Sequence, residues 1–197
     1  MTTNSLRRDH NLIEKVLSSM ETTVSLLKDG KIIPESILSP TIDFTKNFVD
    51  VCHHGKEEET LFPALAQTGM PTKMGPIARM LLEHQITKEI ASKIEESSRE
   101  YISSGNPEKL IHDIEQYIEH VTDHLHKENN RLFMMADVRL EPHTEHVEKA
   151  LTETEKDKLN QLGKTREYYE NLVSELGNNL RWGTIQFWFQ QSYQFQL

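Results

Sequence analysis

The chain holds ten histidines and one cysteine, and four of those histidines fall on stripes that are otherwise apolar. Leu6, His10, Ile13, Leu17, Met20, Val24 and Leu27 step by three and four residues, the spacing that keeps side chains on one helix face. Leu110, Ile114, Tyr117, Val121, His124, Glu128 and Leu132 do the same. Shorter runs carry Ile42 and Val49 to His53 and Glu57, and Ile77 and Leu81 to His84, with Ala91 and Ile94 beyond. His53 and Glu57 are four residues apart, as are His124 and Glu128, so each pair shares a face one turn apart. Buried carboxylates without a compensating cation are strongly unfavourable. Mixed nitrogen and oxygen donors suit iron, with zinc or manganese as secondary occupants. A single Cys excludes a disulfide framework and any Cys-rich zinc or iron–sulfur site.

Four helices are expected to carry these residues, over 5–29, 34–68, 72–104 and 107–139, separated by breaks at Gly30 to Pro34, Gly69 to Pro76 and Gly105 to Pro107. Pro40 should kink or start the second. Short loops favour antiparallel neighbours, so the predicted fold is all-α: an up-down antiparallel four-helix bundle with an extra C-terminal helix and tail. His10 lies 20 residues before Gly30 and His53 lies 19 after Pro34. His53 lies 16 before Gly69 and His84 13 after Pro71; His84 lies 21 before Gly105 and His124 17 after Pro107. At ~1.5 Å per residue the mismatches are a few ångström, so the four imidazoles should meet in one layer.

A bundle domain over 1–140 and a C-terminal extension over 141–197 are expected. Residues 141–149 read as a connector and 152–177 as a solvated outer helix. From Trp182 to Leu197 no residue is charged and six are aromatic. Packing on the bundle, a homo-oligomer or partner contact, and a place at a membrane surface are the readings for 181–197; the absence of basic residues from Trp182 on disfavours an anionic membrane.

The balance of 22 Lys+Arg against 31 Asp+Glu gives a net charge of −9, which argues against nucleic acid as a partner. No apolar run is long enough for a transmembrane helix. Arg7 and Arg8 are followed by no apolar stretch, so no signal peptide is expected and a cytoplasmic location is.

Three segments, His53-His54-Gly55-Lys56-Glu57-Glu58-Glu59-Thr60-Leu61-Phe62-Pro63, Gly75-Pro76-Ile77-Ala78-Arg79-Met80-Leu81-Leu82-Glu83-His84 and His124-Leu125-His126-Lys127-Glu128-Asn129-Asn130-Arg131-Leu132-Phe133, with Asp9-His10 in front, resemble the hemerythrin-like family, also called HHE cation-binding domains, over residues 6–140. The resemblance implies a four-helix bundle around a non-haem di-iron centre, with His10, His53, His84 and His124 as imidazole ligands and Glu57 and Glu128 as bridging carboxylates. It implies two iron ions with an oxo or hydroxo bridge. Of about twelve coordination positions on two six-coordinate irons, roughly two would then stay open. The family repertoire is binding or sensing of O2, NO or iron. The alternative is an enzyme acting on NO or peroxide, or an iron donor in repair of iron–sulfur centres.

Two departures bear on this. Oxygen-carrying hemerythrins have a further histidine one turn after the helix-three ligand, where this chain has Lys88. They also place an aspartate five residues after the last motif's histidine, where this chain has Glu128 at four. Both resemble the branch linked to nitric-oxide stress and iron–sulfur repair. His54 with Glu58 is a rival to His53 with Glu57; helical phase favours His53 without deciding it, and the family pattern selects it. His54, Glu58, Tyr117 and His120 are candidates for groups that support the ligands.

Overall fold

A computed structural model describes the backbone of residues 1–194 and the side chains of residues 1–180; the expectation for 181–197 concerns side chains outside those described. Helix α1 spans Asn4–Lys28 and helix α2 residues 35–67. Helix α3 spans Gly75–Ser104, and helix α4 residues 108–139. A 3₁₀ turn at Glu141–His143 leads into α5 at Thr144–Gln161, and α6 is Arg166–Gln194. No strand occurs among the described residues. The α3 helix ends where Gly105, at φ +75°, turns its N–H onto the Tyr101 carbonyl (2.8 Å), a left-handed conformation that other residues adopt at a cost.

Several expectations need correction. Pro40 does not start α2; it lies inside it, and the helix continues past it. Residues 141–149 are no connector, since α5 begins at Thr144. The single outer helix expected over 152–177 is two helices, broken around Gly163 at φ +63°. Nor is that region merely solvated. Within it Leu159, Tyr169, Leu172, Val173 and Leu176 are all buried. In α3, Met80 faces the interior and Leu81 is 39% exposed. The stripes of α1 and α4 are buried throughout, as expected.

Helices α2 and α4 are not regular. In α2 the backbone takes π form at Phe44–His53 and Glu57–Leu61, and in α4 at Glu128–Leu132. The His54, Phe62 and Phe133 N–H groups bond to the carbonyls of Val49, Glu57 and Glu128, five residues back. Such wide turns occur preferentially at functional sites.

The apolar interior forms two bodies. One holds Ile13, Val49, Cys52, Ile90, Val121 and Leu125. The other holds Leu6, Leu61, Phe62, Ile77, Met80, Leu132 and Phe133. Between them every one of α1 to α4 contributes buried polar residues, and this layer is the site.

Candidate metal centre

His10, His53, Glu57 and Glu128 bring one ligand atom each within 4.8 Å of one another, and so do Glu57, His84, His124 and Glu128. The six residues expected as ligands therefore meet in one place, all buried. A third group within the same limit is His54, His84 and His124. His54 is thus part of the cluster itself and not a residue behind it. Its ring stacks on His84 with centroids 3.8 Å apart and meets His124 edge-on at 5.7 Å. The wide turn explains this. Regular α-phase puts His53 one turn above Val49, but here His54 bonds to the Val49 carbonyl, and both neighbours reach the layer.

Each of four imidazoles is held from behind through Nδ1. His10 Nδ1 donates to Asn129 Oδ1 (3.0 Å), His53 to Asp9 Oδ2 (3.2 Å), His84 to Glu58 Oε1 (2.7 Å) and His124 to Glu83 Oε2 (3.1 Å). All four partners are acceptors, so Nδ1 carries a proton and Nε2 is the nitrogen turned into the layer, where it can offer its lone pair to a metal, the usual arrangement of a metal-binding imidazole. The four Nε2 atoms converge on one another and on carboxylate oxygens. His10 Nε2 lies 3.2 Å from His53 Nε2 and 3.2 Å from Glu128 Oε2. His84 Nε2 is 3.2 Å from Glu57 Oε2, and His124 Nε2 is 3.4 Å from Glu128 Oε1. No oxygen of Glu57 or Glu128 has a partner in hydrogen-bond geometry, and neither do His84 Nε2 and His124 Nε2. Acceptors this close in a dry layer require positive charge among them, from protons or a metal ion.

Without metal, protons carry part of that charge. Burial, with the charge of Glu128 behind it, pushes the Glu57 carboxyl up to about 8. Burial acts against Glu128 too, but His124, His10 and His84 hold it well below the usual range. Burial would lower His84, yet Glu128, Glu57 and Glu58 raise it to about 11. Burial brings His53 down to about 4 against the pull of Asp9. The donor set and its unpartnered atoms fit a metal better than a set of shared protons.

The two halves of the layer correspond. Asp9-His10 precedes the first His-x-x-Lys-Glu-x-x-x-Leu-Phe segment, and Glu83-His84 precedes the second. Asp9 accepts from His53 and pairs with Lys56; Glu83 accepts from His124 and pairs with Lys127 (2.8 Å). Phe133 stacks on His10 at 5.0 Å, and Phe62 on His84 at 5.8 Å. The position of His54 is Leu125 in the second segment, so the halves differ in one imidazole. Asp9, Glu83 and Asn129 were missed from sequence. The acid before each histidine and the matching pair of segments were the available signals.

The remaining expectations fall unevenly. Glu58 accepts from His84 Nδ1 (2.7 Å). His120 bonds through Nε2 to the Glu83 carbonyl (3.0 Å), next to the acid that holds His124. Tyr117 is buried in the apolar body with its hydroxyl unpartnered. Lys88, one turn past His84, is exposed and pairs with Asp50 (3.3 Å), whose carboxylate lies 3.8 Å from His54 Nδ1.

The model of the hemerythrin HHE cation-binding domain matches residues 1–136. No curated protein and no solved structure gives a significant match. No described helix is long and apolar enough to cross a membrane.

Proposed function

From the premise that the chain belongs to the hemerythrin HHE cation-binding family, we propose that it holds two iron ions and binds or senses a small diatomic, O2 or NO. His10 and His53 would hold one ion; His54, His84 and His124 would hold the other; Glu57 and Glu128 would lie between them. The observation that carries this is the convergence of Nε2 lone pairs, each fixed by an acceptor on Nδ1, around two unpartnered buried carboxylates. An up-down bundle over 1–140 is part of the proposal. Its support is that α1 and α3 enter the layer from the Leu6–Ile77 body, whereas α2 and α4 leave through that body at Leu61 and Leu132.

Bound there, a pair of irons supplies one-electron redox change and a coordination position for a small ligand. The chain's part is to keep four imidazoles deprotonated at Nε2, to exclude water with Phe62 and Phe133 over the rings, and to set the two positions apart. With His54 as a fifth imidazole the open positions would fall from about two to about one, on the side that His10 and His53 would hold.

Metal analysis of the chain produced with iron is the test: about two irons per chain are expected, and one zinc or no metal refutes the reading. The same uneven centre would serve turnover of NO or peroxide, or release of iron to damaged iron–sulfur centres. Anaerobic mixing with NO or peroxide separates these, since a stable adduct without product supports binding and product formation supports an enzyme.

A further inference from the structure

The two acids behind the ligands are screened differently. Glu83 is paired by Lys127, which is 24% exposed, and by Arg79, which is 62% exposed (2.5 Å). Asp9 sits in a network whose inner pair is fully buried. Its Oδ2 takes the His53 Nδ1–H and the Lys56 ammonium, and its Oδ1 takes Arg166 Nη1 at 2.7 Å. Glu155 bridges the two cations, at 2.6 Å from Lys56 Nζ and 3.2 Å from Arg166 Nη1. Asp9 and Lys56 have no exposed side-chain surface. Glu155 lies on α5 and Arg166 on α6, both beyond the residues the family model matches. Among the described residues the charged partners of Glu83, namely Arg79, His124 and Lys127, all lie within the matched residues.

A carboxylate held by only one oxygen can rotate, and the imidazole it orients rotates with it; groups that hydrogen-bond a ligand histidine typically alter metal affinity by about 10–100-fold. Resting on the reading of His10 and His53 as one metal position, we propose that Arg166 is a positioning residue for that position. By clamping Asp9 Oδ1 it keeps Oδ2 on His53, so the C-terminal extension governs how firmly one of the two ions is held.

The test is iron retention by the full chain against a graded chelator, for wild type, Arg166→Met, which removes the charge, and Arg166→Lys, which keeps it. Far-UV circular dichroism of each metal-free chain monitors the fold. Expected are two ions in wild type, loss of one of them at about tenfold lower chelator in R166M, and recovery to near wild type in R166K. Wild-type retention of both ions by R166M overturns the proposal. Equal weakening in R166M and R166K also overturns it, because Arg166 lies over the Phe48 ring at 6.0 Å and the effect would then follow its packing. Should R166M not fold, Arg166→Gln decides by the same criterion. A wild-type chain that holds no iron overturns the metal reading as well as this one, and is recognised without any variant.

Discussion

Replacing Glu57 by Met should stabilise the metal-free protein and remove what metal adds. Both Glu57 oxygens are buried without a hydrogen-bond partner, and burial beside Glu128 raises its carboxyl to about 8. Near neutral pH the metal-free chain therefore buries a mostly protonated acid with no partner in hydrogen-bond geometry. A buried polar group left without a hydrogen bond costs about 1–3 kcal/mol, which exchange for an apolar side chain of similar volume recovers. At about 2–4 °C per kcal/mol for a chain of this length, a gain of about 2 kcal/mol raises the melting temperature by about 4–8 °C. Metal at a thousand times its dissociation constant stabilises wild type by about 4 kcal/mol per independent site, roughly 8–16 °C on the same scale. The two melting curves should therefore cross over. Glu57→Met melts above wild type after chelation and below it after iron loading. Thermal unfolding followed by circular dichroism, with iron content measured on the same samples, reads both. A stripped variant melting at or below wild type, or a loaded variant keeping the full metal-dependent gain, refutes the reasoning.

His54→Leu, which gives α2 the residue that α4 has at Leu125, should weaken one of two bound ions by tenfold or more while leaving the metal-free fold intact; unchanged retention against a chelator would remove His54 from the ligand set. The pH dependence of stability should reverse on loading. In the metal-free chain Glu57 keeps its proton to about 8 against 4.5 unfolded, and His84 to about 11 against 6.5. Between pH 6.5 and 8 the native state binds more protons than the unfolded state, so stability falls as pH rises. His53 acts only lower, between about 4 and 6.5, where acid destabilises. Iron-loaded protein needs deprotonated ligands and should gain stability from pH 5 to 7, which melting temperatures at stepped pH would show. Cys52 is fully buried and its thiol is pushed up to about 12 by burial, so a thiol reagent at pH 8 should modify it only in denaturant; rapid labelling of the native chain would contradict the packing.

How much of this was legible in the sequence depended on whether regular helical phase holds. Where it does, in α1 and up to Glu128 in α4, spacing alone placed His10, His124 and Glu128 on the buried face, and counting to the turns put the imidazoles in one layer. Where the backbone widens, phase misled. His53 and His54 read as rivals because a regular turn gives one of them the core, whereas a bond from His54 back to Val49 admits both. Leu81, read onto the buried stripe of α3, is 39% exposed, and there the structure offers no such simple reason.

The residue types, their fours and threes, and the placing of Gly and Pro determined the helices, the donor chemistry and the level at which it assembles, because these are local properties of a 3.6-residue repeat. Tertiary structure alone decided which atoms hold the imidazoles from behind. Asp9 and Glu83 serve histidines more than forty residues away, and Arg166 reaches Asp9 across 157 positions. No periodicity encodes such contacts; they exist because packing α1 on α2, α3 on α4 and α6 on α1 brings charges together where an unpaired carboxylate would be too costly to bury.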